Sequence, residues 1–284
     1  MKKYMGAVIA VLMCATLAFA GRRDGMIQIK GSDTMVNLSQ SWAEEFMNKK
    51  PEAVIAVTGG GSGTGISALI NGTCDIAQAS RSMTEKEIAM AKKNGHEPKE
   101  FEVAIDALSV VVHPSNPVSK LTIGQLADIY TGKVTNWKEV GGNDRKIVVL
   151  SRERNSGTHV YFLEHVLRRG NPKGPEEYAP GVLMMPSSQA IADEVSSNPD
   201  AIGYFGLGYL TGKEKGIAVA QDGSADYVLP SIDTASAGTY PIARALLIYT
   251  DGEPKGMVKD FLAFVLSDEG QTIVKKLDFV PLPK

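Results

Sequence analysis

Three times in this chain an apolar, β-branched run breaks at a turn rich in glycine and hydroxyl side chains, and an amphipathic helix follows. The longest case is Lys146 to Gly170. Ile147-Val148-Val149 reads as a buried strand and Asn155-Ser156-Gly157-Thr158 as a turn. Val160, Leu163 and Leu167 then recur at helical spacing until Arg168-Arg169-Gly170 ends the helix. Ile27-Gln28-Ile29-Lys30 leads to Gly31-Ser32-Asp33-Thr34, and then to Met35, Leu38, Trp42 and Phe46 on one helical face. Val54-Ile55-Ala56-Val57 leads to a glycine run, Gly59 to Gly65, and then to Ile66, Leu69 and Ile70. Strands alternating with helices at this spacing call for an α/β fold with a parallel sheet.

Each unit also makes a chemical statement. A strand that feeds a turn at a helix start aims free backbone N–H groups at one spot, and the helix adds roughly half a positive charge there. Ser156 and Thr158 bring hydroxyls to that spot, and Arg152 or Arg154 a guanidinium. Neutral donors with an arginine suit a small anion. Taken singly, each hydroxyl is explained as well by helix capping. Taken together, three such units point to three helix starts around one anion.

The chain has 284 residues, enough for two domains, and its 43% hydrophobic and 22% charged content are globular values. The net charge is −2, with no basic block or acidic tail, which excludes nucleic acid and anionic membrane as natural partners. Positive potential for an anion must then be local. Lys2 and Lys3 precede an apolar stretch, Met5 to Ala20, that closes on Ala18-Phe19-Ala20 before Gly21. This is the pattern of a signal peptide cleaved after Ala20, and it predicts export to the periplasm. Cys14 raises the alternative of a lipid-anchored cysteine, although Met13 stands where a small residue is wanted. Cys74, the other cysteine, has no partner left for a disulfide and reads as a small buried residue.

Further along, Asp75 to Ala79 is a short strand, and a polar helix spans Thr84 to Lys93. Glu102 to Val112 is an apolar run interrupted by Asp106, a costly carboxylate unless it is paired or sits at the strand end. His113-Pro114-Ser115-Asn116-Pro117 is a stiff break and the expected crossing between two lobes. Thr122 and Gln125 form a capping box for a helix through Tyr130. Ser187 to Val195 reads as a helix, Ala201 to Tyr204 as a strand, and Ile242 to Tyr249 as a strand returning to the first lobe. Met257 to Leu266 and Gln271 to Leu277 read as closing helices.

In order and spacing, several strings resemble the exported phosphate-binding proteins of ABC-type phosphate transporters. They are Gly31-Ser32-Asp33-Thr34-Met35, GGGSGTGI from Gly59, SRERNSGT from Ser151, LTIGQLADIYTGKVTNW from Leu121, NPDAIGYFGLGY from Asn198 and FVLSDEGQTIV from Phe264. The resemblance covers nearly the whole mature chain. It implies a type II periplasmic-binding-protein fold, with two α/β lobes, a ligand cleft between them and hinge closure around the ligand. The expected division is residues 1–20 as signal peptide, 21–112 with 241–284 as one lobe, and 113–240 as the other. It further implies a non-catalytic monomer without cofactor or metal, which captures inorganic phosphate and delivers it to a membrane permease. The family's phosphate contacts carry over onto Thr34 with the Met35 N–H, Ser62, Arg152, Ser156, Gly157 and Thr158.

At two positions the chain departs from the better-known branch, placing Arg81 and Arg154 where that branch has acidic residues. This adds Arg81 to the candidate ligand residues and leaves open which carboxylate accepts the phosphate proton. That acceptor would exclude sulfate, which has no proton to give. Asp106 is the first candidate, since it is also able to orient Arg81. Asp33 is the second, unless it only caps the first helix.

Other functions fit less well. From Gly60 the run does not complete the nucleophile elbow G-x-S-x-G, because Thr64 stands at its last position, although Ser62, which would need a base, and His159 beside Thr158 keep a phosphate-ester hydrolase in view. Ile66 to Leu69 lacks the Lys-Ser/Thr of a nucleotide-binding P-loop. Binding of another oxyanion, such as sulfate or molybdate, remains an alternative. His96, His113, His159 and His165 are too dispersed to suggest a metal site.

Overall fold

A computed structural model of the protein describes residues 26–283. The expected signal segment and Cys14 lie outside the described residues. The strands are β1 Met26–Gly31, β2 Val54–Thr58, β3 Ile76–Ala79, β4 Pro98–Val112, β5 Lys120–Thr122, β6 Val148–Arg152, β7 Leu183–Met185, β8 Ala201–Gly206, β9 Lys215–Gly216, β10 Ala218–Ala220 and β11 Ala243–Asp251. The helices are α1 Val36–Lys49, α2 Ser62–Ile70, α3 Glu85–Lys93, α4 Ile123–Tyr130, α5 Gly157–Phe162, α6 Ser188–Ser197, α7 Ile232–Ser236, α8 Gly256–Leu266 and α9 Asp268–Lys276.

One half of the molecule is the sheet β2-β1-β3-β11-β4. β1 runs parallel to β2 and β3, and β11 returns antiparallel between β3 and β4. Ile27, Ile29, Trp42, Phe46, Phe261 and Val265 fill the layer under α1 and α8. Ile66, Leu69, Ala77 and Ala91 fill the opposite face under α2 and α3. Fully burying each large side chain of this kind contributes about 1.5–3 kcal/mol. The Trp42 indole N–H donates to Gly270 O at 2.9 Å, which pins α1 to the end of the chain. The second half repeats the plan with β8, β6 and β7. Tyr130, Trp137, Phe162 and Tyr204 pack one face, and Leu150, Ile191, Val195 and Phe205 the other. This is the two-lobed α/β architecture that the family resemblance implied.

The halves are joined inside β4. Up to Ala107 this strand pairs with β11, and from Leu108 it pairs with β8. The change of partner thus lies upstream of His113-Pro117, the break expected to carry the crossing. That break is instead a tight turn, in which Asn116 N–H donates to His113 O at 2.9 Å. A continuous strand keeps every backbone group paired across the joint, which a loop there would not. Asp106 sits at this joint, facing Arg244 across the β4–β11 register.

Another difference concerns α5. After Phe162 the helix loosens into a π-helical turn, Leu163–Leu167. Phe162, Val166 and Leu167 are the buried positions, so Leu167 keeps the place expected of it, while Val160 and Leu163 are only partly buried and the wider turn sets Val166 on the buried face.

Candidate anion-binding site

The three hydroxyl-bearing turns meet. β1 ends at Gly31, and a short 3-10 turn, Asp33–Met35, carries the chain into α1. Thr34 Oγ1 lies 3.0 Å from Thr158 Oγ1, although 124 residues separate them. Gly157, the first residue of α5, is so close to the start of α2 that a Cβ there would fall 2.3 Å from Ser62 Oγ and 2.8 Å from Ser80 Oγ. Ser62 Oγ accepts the Ser80 N–H at 3.0 Å, and the Ser80 hydroxyl lies 3.3 Å from that of Ser62 and 3.0 Å from that of Ser32. The chain enters α2 through Gly61 at φ +90°, a conformation that favours glycine. The neighbouring backbone then reaches across the cleft: Gly63 N–H donates to Asn155 O at 2.9 Å, and Asn155 Nδ2 donates to Gly60 O at 2.7 Å. Thr34, Ser62, Ser156 and Thr158 are all buried.

Capping accounts for only one of the three hydroxyl turns. Ser156 Oγ accepts the Thr158 N–H at 3.2 Å and caps α5. Ser62 and Thr34 lie within the first turns of their helical segments, and their oxygens face the cluster instead. Met35 is buried, and its N–H donates to Ser32 O at 3.1 Å.

Two arginine–aspartate pairs flank the hydroxyls, Arg244–Asp106 buried on both sides and Arg152–Asp33 with its aspartate half-buried. Arg152, at the end of β6, is 1% exposed. Its Nη2 donates to Asp33 Oδ2 at 2.5 Å and to Pro186 O at 3.0 Å, its Nη1 to Ser188 Oγ at 3.2 Å, and its Nε to Met185 O at 3.3 Å. The other Asp33 oxygen accepts the Gly60 N–H at 3.0 Å. Asp33 therefore bridges the glycine run and Arg152. Asp106 is fully buried, and its Oδ2 accepts from Arg244 Nη2 at 3.0 Å and Nε at 3.3 Å. Its Oδ1 accepts the Leu207 N–H at 3.2 Å. Burial pushes the Asp106 carboxyl above its ordinary range, and the Arg244 charge works against that rise.

The pairing expected between Asp106 and Arg81 is not made. Arg81 forms a two-pronged bond to Glu87 at 2.8 and 2.9 Å and donates to Ser82 O at 2.9 Å. Glu87 is in turn the capping-box partner of Thr84 at the start of α3, so local geometry draws the Arg81 guanidinium to that helix. Arg154 is exposed. The second arginine of the cluster is Arg244, which the sequence reading did not single out. The signal was there: a lone arginine inside the apolar run Ile242 to Tyr249 mirrors the lone aspartate inside Glu102 to Val112.

Beneath the cluster, His159 is buried against Tyr178, with ring centroids 4.4 Å apart, and its Nδ1 lies 3.2 Å from Ser151 Oγ rather than near Ser62. Burial pushes its pKa down to about 4, and the charges of Arg154 and Arg152 act the same way. An unfolded histidine takes up its proton near pH 6.5, whereas the folded one resists until about pH 4. Stability should therefore fall as pH drops through this window, by about 3 kcal/mol at most. A His159→Gln variant should lose that part of the acid sensitivity. A thermal midpoint that falls between pH 7 and 4.5 as steeply in the variant as in the parent would refute the assignment.

Among the described residues, no group of three or more His, Cys, Asp or Glu side chains is placed to hold a metal ion. No described helix is long and apolar enough to cross a membrane.

Comparison with known proteins agrees with this geometry. Residues 19–269 match the PBP superfamily domain. The chain is 34% identical to the phosphate-binding protein PstS of Pseudomonas aeruginosa over 276 residues, covering 91% of this chain and 84% of that one. It is 34% identical to the phosphate-binding protein PstS of Bacillus subtilis over 262 residues, covering 92% and 82%. Its fold superposes with a TM-score of 0.81 on a Clostridium perfringens protein crystallised with bound phosphate, 36% identical, covering 91% of this chain and all of that one. Three converging helix starts on a two-lobed α/β frame, together with these likenesses over nearly the whole length, establish that the chain belongs to the PstS family of the PBP superfamily.

Proposed function

We propose that this protein is a non-catalytic receptor that captures inorganic phosphate between its two lobes and presents it to the membrane permease of an ABC importer. The observation that carries the reading is the meeting of three strand-to-helix turns at the Thr34–Thr158 hydroxyl pair. Thr34, Ser62, Ser156 and Thr158 would supply hydroxyls, the starts of α2 and α5 would supply N–H groups, and Arg152 would supply charge-assisted bonds. In a buried cleft such donors outcompete water because they need no reorganisation. The names of the relatives support phosphate as the anion, and the Lys2–Ala20 leader pattern supports a periplasmic location after cleavage at Ala20. The placement of His159 against Ser151 leaves Ser62 without that base, which speaks against the hydrolase reading.

Titration calorimetry on the mature chain, stripped of ligand by unfolding and refolding, tests this with phosphate, arsenate, sulfate and molybdate in turn. The reading expects tight binding of phosphate and arsenate only, with micromolar affinity corresponding to about −8 kcal/mol. Failure of phosphate to bind would overturn it. As proton acceptor we assign Asp106. Asp106→Asn should cost about 1–3 kcal/mol of phosphate affinity and narrow the gap to sulfate. Unchanged selectivity would move the role to Asp33.

A further inference from the structure

We propose that Arg244 is a second anion-binding arginine of this cleft and that, paired with Asp106, it sets the preference for phosphate over sulfate. The inference rests on the phosphate reading above and adds to it a residue from the returning strand. Arg244 Nη2 donates to Thr158 Oγ1 at 2.9 Å and approaches Thr34 Oγ1 at 3.4 Å, while the two hydroxyl oxygens are 3.0 Å apart. These three donors form a triangle with sides near hydrogen-bond length, the arrangement that a single tetrahedral oxyanion oxygen satisfies. The side chain belongs to this spot. Its exposure is 3%, Nη1 is tied to Ser80 O at 3.1 Å, and its guanidinium carbon lies 5.3 Å from the centre of the Tyr161 ring. Arg244 thus leaves β11 in one half and touches Thr158 and Tyr161 in the other.

Its donation also orients the threonines. A hydroxyl oxygen that accepts from Arg244 must send its own proton elsewhere, and the cleft is where an anion would receive it.

The charge count gives the pair its second role. Arg152 is matched by Asp33 and Arg244 by Asp106, so the two arginines add donors without net positive charge. A site of this kind cannot separate phosphate from sulfate by charge alone. It separates them by what Asp106 does. Oδ2 is engaged by Arg244, whereas among the described residues Oδ1 accepts one hydrogen bond, from the Leu207 N–H. Gly206 leaves room beside this carboxylate: a Cβ there would fall 2.7 Å from Oδ1, 3.0 Å from Oδ2 and 2.9 Å from the Thr34 methyl. Arg244 favours the carboxylate form of Asp106, and in that form Asp106 accepts a hydrogen bond from a phosphate O–H and repels sulfate. Without Arg244, a fully buried carboxyl is driven to its neutral form, which donates a hydrogen bond and welcomes sulfate.

Arg244→Gln and Arg244→Lys, titrated by calorimetry with phosphate and with sulfate beside the parent chain, test the proposal. Arg244→Gln is expected to weaken phosphate about 30-fold or more while sulfate binding rises to within about 10-fold of it. Arg244→Lys should keep sulfate excluded at reduced phosphate affinity, because it retains the charge but not the fork. A merely structural arginine would not move the two anions in opposite directions. Should Arg244→Gln fail to fold, the neutral pair Asp106→Asn with Arg244→Gln removes the unpaired charge. Because Asp106→Asn by itself already narrows the gap to sulfate, the double variant is read against Asp106→Asn alone: a further loss of phosphate affinity supports the role of Arg244, and equal phosphate affinity overturns it. Parent-like phosphate affinity and sulfate exclusion in folded Arg244→Gln overturn the role of Arg244 while leaving the phosphate receptor standing. A parent chain that binds no phosphate overturns both.

Discussion

Replacing Arg152 with Ala is expected to weaken phosphate binding by about 100- to 1,000-fold, that is, by about 3–4 kcal/mol. Two losses combine. Arg152 is the charged donor at the end of β6, fixed by Ser188 Oγ and by the Met185 and Pro186 carbonyls, so its guanidinium pays little entropy on binding. Its removal also strands Asp33, whose carboxylate then faces any incoming anion with no cation beside it. The second loss separates Arg152→Ala from the double variant with Asp33→Asn. The double variant should recover part of the affinity, because the uncompensated negative charge is gone. Folding should suffer as well, since breaking a buried pair from one side is costly. Calorimetry on both variants, with thermal midpoints to confirm the fold, decides the matter. Phosphate affinity within threefold of the parent in folded Arg152→Ala would remove this arginine from the site.

Asp33 and Asp106 also mark where the sequence stopped being readable. The helix starts were legible because their cues are local. Gly61 supplies a positive φ, Ser156 caps α5 from the adjacent residue, and Thr122 with Gln125 closes a capping box three residues apart. Nothing beyond a few residues has to be known to recognise them. The pairing of charges obeys a different rule. Asp106 meets Arg244 because β11 returns antiparallel to β4 in one register, across 138 residues of chain. A shift of one residue would put the two side chains on opposite faces of the sheet. Arg81 shows the converse. Its partner Glu87 lies only six residues away, within a Thr84–Glu87 capping box of the kind recognised at Thr122, yet a distant carboxylate looked the better match. The π-helical turn after Phe162 was illegible for a third reason: apolar periodicity assumes a constant twist, and one widened turn shifts the face that follows, so that Val166 is buried where Leu163 is only partly so.

Gly157→Ala should separate closure from folding more cleanly than any charge change. Gly157 opens α5, and its φ is not in the left-handed region, so alanine is free to adopt the same backbone. As a better helix former it should leave the isolated lobe as stable as before or slightly more so. The cost arises only when the halves meet. The added methyl would lie 2.3 Å from Ser62 Oγ and 2.8 Å from Ser80 Oγ, and neither hydroxyl is free to swing aside. Ser62 Oγ holds the Ser80 N–H, and the Ser80 hydroxyl meets those of both Ser32 and Ser62. Relief requires the lobes to part by about 1 Å, since a carbon and an oxygen in van der Waals contact sit near 3.4 Å. Parting by that amount breaks the Thr34–Thr158 contact and the hydrogen bonds of Asn155 to the glycine run. At the upper end of overpacking costs, about 3 kcal/mol, phosphate should bind about 100-fold more weakly. The melting point of the ligand-stripped protein should hold, and phosphate should no longer shrink the radius of gyration in solution scattering. Were the variant to bind phosphate as tightly as the parent and contract to the same size, the close approach of α5 to α2 would not be the geometry that holds the anion.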